Sequence, residues 1–167
     1  KFHYCDAPLR EGSYRAIGAT ANNFARECFV DELATAAGRD PLAYRLEHLN
    51  DDRLAAVLKA AADRFEWAST RKENRGIGIA GGTEKGSYVA TCVEVEVEAE
   101  SDDAFRIARV CVAFECGAIQ NPSNLIAQVE GAVIMGLGGA LWEESRFEGG
   151  RILNDLLAQY RVPRFSD

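Results

Sequence analysis

Two segments of this sequence carry residues whose types and spacing could hold a ligand. The first is Tyr14-Arg15-Ala16-Ile17-Gly18, a loop emptying into the amino end of a helix. Unpaired backbone N–H groups and the helix dipole at such a place favour an anionic or electron-rich ligand. Arg15 adds a planar fork of donors suited to phosphate or metal-oxo groups. The same residues also read as a plain capping loop with a surface arginine. The second segment runs from Cys116-Gly117-Ala118-Ile119-Gln120-Asn121-Pro122 to Gln128-Val129-Glu130-Gly131. Gln128 and Glu130 are polar residues near the start of an otherwise apolar, glycine-rich helix, and buried polar side chains need partners. A glutamine donates and accepts at once, as a heterocyclic ligand requires. The alternative is that both residues face water or cap the helix start.

Other patterns carry less. Gly76-Ile77-Gly78-Ile79-Ala80-Gly81 has the letters of a dinucleotide-binding fingerprint, but that motif needs a helix directly after it and here a strand follows. Gly81-Gly82-Thr83-Glu84-Lys85-Gly86-Ser87 has Lys-Gly-Ser where a phosphate loop needs Gly-Lys-Ser/Thr, and reads as a glycine-rich turn into a strand at 88. Nucleotide binding through residues 76–87 is therefore a weaker idea. Cys111 and Cys116 have the first spacing of a plant-type iron–sulfur site, yet position 119 is Ile, and strand geometry turns the two thiols to opposite faces. Structural thiols are the better reading. With His3 and His48 as the only histidines, no self-contained transition-metal site is expected.

The elements that must position these segments follow from periodicity. Phe24, Cys28, Phe29, Leu33, Ala36 and Ala37 recur at helical spacing from about residue 20, and Gly38 ends that helix. Asp40-Pro41 starts another, with Leu42, Leu46 and Leu49 on its buried side. A third carries Leu54, Val57, Leu58, Ala61 and Phe65 on one stripe. Residues 66–75 read as a loop. From Val89 to Glu100, valines alternate with glutamates, which predicts a strand whose glutamates 94–100 form the wet face. Ser101-Asp102-Asp103 is a turn, and Ala108, Val110, Val112, Phe114 and Cys116 form the return strand of an antiparallel hairpin. A long apolar helix follows from about 123 to 143, then a turn at 147–152.

Composition sets the outer limits. A chain of 167 residues fits one domain with a core of its own, and five scattered cysteines do not make a secreted disulfide framework. A net charge of −7 argues against broad nucleic-acid binding. No uninterrupted apolar run approaches membrane-spanning length, so no membrane segment is expected. The chain starts Lys1-Phe2-His3 without a Met or a targeting pattern and stops just after Arg161-Val162-Pro163-Arg164, which reads as a piece of a longer polypeptide.

Taken together, three stretches resemble the large subunit of the molybdenum hydroxylases, the xanthine dehydrogenase and aldehyde oxidase family. The likeness is to the bacterial branch with isoquinoline 1-oxidoreductase and nicotinate dehydrogenase subunits. Ser13-Tyr14-Arg15-Ala16-Ile17-Gly18, with Phe29-Val30-Asp31-Glu32-Leu33-Ala34 and Asp40-Pro41-Leu42-Ala43-Tyr44-Arg45-Leu46, is similar to the family's Phe-Arg-Gly-Phe-Gly loop and the helix after it. Arg75 to Ala80, leading to the 88–98 strand, is the second stretch. Glu115-Cys116-Gly117, with Asn121-Pro122, Gln128-Val129-Glu130-Gly131 and Gly136-Leu137-Gly138, is the third.

The resemblance implies an α+β fold of helices on a small mixed or antiparallel sheet. Residues 1–167 would form a single part of a molybdopterin-binding domain, helical over about 19–66, with the sheet and long helix over about 75–165. It implies an oxidoreductase that hydroxylates an N-heteroaromatic or aldehyde carbon with water as the oxygen source. The cofactor would be molybdenum-molybdopterin, in some members the cytosine dinucleotide. Arg15, Ala16, Gly18 and Gln128 would bind cofactor, and Ile17 would line the substrate pocket. Partners would be the remainder of the large subunit, an iron–sulfur small subunit or domain, and a small-molecule substrate, in the cytoplasm.

Departures from the pattern matter too. Ala16 stands where the family has glycine, and Ile17 where the purine enzymes have an aromatic ring. The family's catalytic base, a glutamate in a Gly-x-Gly-Glu stretch, has no counterpart here, so no catalytic residue is assigned. The chain alone is expected neither to retain cofactor nor to turn over. The alternative is a complete, non-catalytic binding or assembly module of the same fold.

Overall fold

The computed structural model describes residues 12, 15–69, 73–97 and 105–164. The sequence readings at His3, Cys5, Ser13, Tyr14, Glu98, Glu100, the 101–103 turn and Phe165-Ser166 lie outside these. The chain divides into two compact units, Lys1–Cys116 and Gly117–Asp167.

In the first unit, the local signals set the helix starts. Asp40 caps α2 (Pro41–His48), its Oδ1 accepting from the N–H groups of Leu42 and Ala43 at 3.0 Å each. Its Oδ2 accepts from Trp67 Nε1 at 3.0 Å, so one side chain ties α2 to the residues after the next helix. Asp51 caps α3 (Asp52–Phe65) in the same way, through Arg53 and Leu54. The stripe Val57, Leu58, Ala61, Ala62 and Phe65 is buried, and with Trp67, Ile79, Ala90 and Cys92 it forms the core. Each large apolar side chain buried there contributes about 1.5–3 kcal/mol.

This core lies between α3 and a three-stranded antiparallel sheet in the order β1 (Arg75–Glu84), β2 (Ser87–Val97), β3 (Phe105–Glu115). Ile79, Cys92 and Cys111 sit side by side across it, and the register shifts between Glu94 and Val95. The class is α+β, and the hairpin of β2 and β3 is the one the alternation predicts.

Two expectations are corrected here. The glycine-rich stretch leading to position 88 is not a turn: residues 75–84 form a full strand paired along β2, with only Lys85 and Gly86 turning the chain. Pairing overrides the weak strand propensity of its glycines. One of them sits in a tight place: a Cβ on Gly82 would lie 3.0 Å from Asn23 Oδ1.

The glutamates of β2 are not a wet face either. Alternation places Ala90, Cys92 and Glu94 on the side packed under α3, while Val89, Val93 and Val95 lie on the other. Glu94 is 3% exposed and is neutralised there by Arg75, at 2.6 Å, and Arg109, at 3.2 Å.

Helix α1 (Ala19–Ala36) turns its large apolar side chains outward. Phe24, Cys28, Phe29 and Leu33 are exposed, and Ala34 is its one fully buried residue. The half-buried stripe is Ala19, Asn23, Glu27, Val30 and Asp31, polar or small in the main, because it meets charged and backbone groups rather than a greasy surface.

In the second unit, Asn121 caps α4 (Pro122–Leu141) by accepting from the N–H of Asn124, with Pro122 at the first position. Gly138 is buried, and a Cβ there would lie 2.8 Å from Pro163 Cδ. Tyr160 donates to Glu143 Oε2 at 2.9 Å, and Arg161 lies 4.7 Å from the centre of the Trp142 ring. Buried Asn154 accepts from the N–H of Arg146 and donates to the carbonyl of Glu144, closing the two-residue strands β4 (Phe147–Glu148) and β5 (Arg151–Ile152).

By length and composition, α4 is apolar enough to cross a membrane. Gln128 and Glu130 interrupt its apolar run without removing the helix's apolar average. Core helices of large proteins share this composition.

Candidate functional site

The loop Arg15–Gly18 turns the chain directly into α1. Its backbone is unusual. Ala16 and Ile17 both lie in the left-handed region, with φ of 64° and 53°. A left-handed residue with a Cβ costs roughly 1–2 kcal/mol, and a β-branched one is a rarer outlier still. The turn is held by a bond from the Ala19 N–H to the Ala16 carbonyl at 2.9 Å. Replacing Ala16 with glycine is therefore expected to stabilise the chain by about 1 kcal/mol in urea denaturation, since glycine adopts this φ freely.

Gly18 is the N-cap of α1 and offers no side chain to cap it, and the first turn holds no acidic residue. The N–H groups of that turn have no intrahelical acceptors. Apart from the Ala19 N–H, which the Ala16 carbonyl takes up, they lie at the positive end of the helix dipole, and Arg15 stands three residues before Gly18 in the sequence. Ile17 is 73% exposed, and Arg15, Ala16 and Gly18 are exposed too. Such a donor set fits an anionic group such as a phosphate-bearing pterin. Gln128 lies in the second unit, exposed on α4, as does Glu130. The structure thus groups Arg15, Ala16, Ile17 and Gly18 at one helix end, and Gln128 belongs to a separate unit.

Two of the thiols, Cys92 and Cys111, are packed into the sheet. Burial pushes the Cys92 thiol up to about 12, which leaves it neutral at physiological pH. Cys111, its cross-strand neighbour, donates to the Ala61 carbonyl at 3.7 Å. Among the described residues, no group of three or more His, Cys, Asp or Glu could hold a metal ion. Two ionic clusters went unread in the sequence. One is Glu94 with Arg75 and Arg109; a lone buried charge in a valine strand has no local signature. The other joins Glu27, Asp31 and Arg45, and its signal was the Glu27/Asp31 pair at helical spacing on α1.

The fold and the loop define a class: an α+β segment that presents anion-favouring groups at a helix end. More particularly, the chain belongs to the molybdopterin cofactor-binding domain family, which matches residues 82–167. It is 31% identical to a nicotinate dehydrogenase subunit of Pseudomonas putida, an alignment covering 96% of this chain and 15% of that protein. It is 31% identical to the beta chain of isoquinoline 1-oxidoreductase from Brevundimonas diminuta, covering 91% of this chain and 20% of the other. It is 33% identical to the aldehyde oxidoreductase molybdenum-binding subunit of Escherichia coli K12, covering 93% and 22%. The chain therefore spans about a fifth or less of the length of the first two relatives. No solved structure matches it.

Proposed function

We propose that this chain is a portion of the large subunit of a molybdenum hydroxylase, and that Arg15–Gly18 and Gln128 form part of its cofactor wall. The observation that carries the reading is the amino end of α1, which has no side-chain cap and no carboxylate in its first turn. The relatives' names support it, since they include a nicotinate dehydrogenase, an isoquinoline oxidoreductase and a molybdenum-binding subunit. When bound, the molybdopterin group supplies the redox chemistry by which an N-heteroaromatic or aldehyde carbon is hydroxylated, with water as the oxygen source.

This chain's residues bind and orient. Arg15 and the α1 amides hold the anionic part of the group, in this reading the phosphate of a molybdopterin or of its cytosine dinucleotide. Ala16 and Gly18 set the backbone path that lets it approach. Ile17 gives the substrate an apolar wall without a ring to stack on, and Gln128 donates and accepts through one amide. No residue of the chain acts as the base. Both units, in this proposal, are parts of one molybdopterin-binding domain. Electrons leave to an iron–sulfur subunit or domain, in the cytoplasm, and the 167 residues alone neither retain the cofactor nor turn over.

The test uses the complete enzyme, made with Arg15→Ala or Gln128→Ala. A hydrogen bond to a charged group contributes about 1.5–3 kcal/mol, so Arg15→Ala should lower molybdenum and pterin per polypeptide by about 10-fold or more. Unchanged cofactor content in both variants would sink the proposal and favour a non-catalytic assembly module.

A further inference from the structure

We infer that Glu27 and Arg45 are positioning residues that set where α1 sits along β1, and hence where its amino-terminal loop is presented. The inference rests on the cofactor reading above. Within the described residues, helix α1 lacks the usual means of fixing its axial position. Its large apolar side chains point outward, and its inward stripe is Ala19, Asn23, Glu27, Val30, Asp31 and Ala34. Without interdigitated apolar side chains, polar contacts must hold the helix in register.

Those contacts converge on Glu27. Its Oε2 accepts from the Gly81 N–H of β1 at 3.0 Å and from Arg45 Nε at 3.0 Å. Arg26 donates to the Gly81 carbonyl at 3.0 Å, so the backbone of this one residue is bound through both its groups by neighbouring residues of α1. Arg45, whose side chain is 6% exposed, spends the rest of its fork on α1 and its own helix. Nη1 donates to Asp31 Oδ1 at 2.6 Å and to the Pro41 carbonyl at 3.1 Å, and Nη2 to the Glu27 carbonyl at 3.1 Å. A planar fork satisfied in this way fixes direction as well as distance, which a lysine ammonium cannot do. A buried guanidinium making four hydrogen bonds, two of them to carboxylates, also disfavours a half-slipped helix, because a shifted one would leave charges unpaired.

Glu27 lies nine residues past Gly18, about 14 Å along a rigid rod at ~1.5 Å per residue. A displacement of the clamp is therefore transmitted to the loop. Asn23 packed on Gly82 gives a second point of contact on the way.

The test is Arg45→Lys and the milder Glu27→Gln in the complete enzyme, with Arg15→Ala alongside. The exposed pair of Arg39 and Glu47, 2.7 Å apart between half-exposed side chains, supplies the control Arg39→Ala. Three quantities are read: molybdenum per polypeptide, the urea midpoint, and amide exchange over residues 18–27. We expect Arg45→Lys to lower molybdenum content about 10-fold and to speed exchange in that segment, with Glu27→Gln doing the same to a smaller degree. Arg39→Ala should do neither. A purely structural role would lower the midpoint in step with metal content; a positioning role lowers metal content at a midpoint within that of the control. If Arg15→Ala depletes molybdenum while Arg45→Lys and Glu27→Gln do not, the positioning inference is wrong and the cofactor reading stands. If Arg15→Ala also leaves molybdenum unchanged, both are wrong.

Discussion

Replacing Phe65 with alanine should cost about 3–5 kcal/mol of stability, the range for deleting a fully buried aromatic ring. Phe65 is the last residue of α3 and is 0% exposed. Its ring packs in the core cluster, 6.3 Å from the Trp67 ring, and carries the Arg109 guanidinium 4.1 Å above its centre. Its carbonyl accepts from Arg109 Nη2 at 2.9 Å. Truncation removes apolar transfer energy, leaves a cavity, and takes away the surface on which Arg109 rests while it reaches Glu94. Phe65→Leu separates these contributions: it restores most of the apolar volume but not the cation–π contact, worth about 0.5–2 kcal/mol. Urea denaturation followed by far-ultraviolet circular dichroism should rank the wild type above Leu and Leu well above Ala. A loss below about 1 kcal/mol for Phe65→Ala would mean that α3 is not the centre of this core.

The two starts at Asp40-Pro41 and Asp51 were legible because a cap is a local event between a side chain and the next turn. The stripe from Val57 to Phe65 was legible because one period fits it. The 89–97 alternation gave the strand and its hairpin, but alternation has no sign. Which side is packed depended on α3, which covers Ala90 and Cys92 together with Ile79 of the neighbouring strand. Glu94 joins them only because Arg75 and Arg109 arrive from the two neighbouring strands, partners at positions 75 and 109 that no window along the chain brings together. In α1 the periodicity marks a helix but not which side is covered, since Glu27 is drawn inward by Gly81 and Arg45 from other elements. The Arg15–Gly18 loop before a helix amino end was visible in the sequence. The left-handed backbone of Ala16 and Ile17 was not, because neither residue type favours it.

The cluster at Glu94 sets the acid limit of the fold. Arg75 beside it, then burial opposing, then the further attraction of Arg75 and Arg109, leave the Glu94 carboxyl below its ordinary value, and the same contact raises Arg75. The unfolded chain would titrate this glutamate near ~4.3. A carboxyl held below its unfolded value adds stability that is fully present above that value. The contribution is lost as pH falls through the folded one. The first unit should therefore lose stability on acidification from about pH 5 downward. Glu94→Gln should be less stable than the wild type at pH 7, because Arg75 and Arg109 keep their charges and lose the carboxylate between them. The gap should narrow as the pH falls below the unfolded value and through the folded one, where the wild-type carboxyl itself takes up a proton. Urea midpoints for both proteins at pH 7 and pH 3 decide it, with Glu130→Gln, an exposed carboxylate on α4, as the reference for a charge that faces water. A gap of the same size at both pH values would show that the glutamine is merely a worse fit, and that the ionised carboxylate is not what joins β1 and β3 through β2.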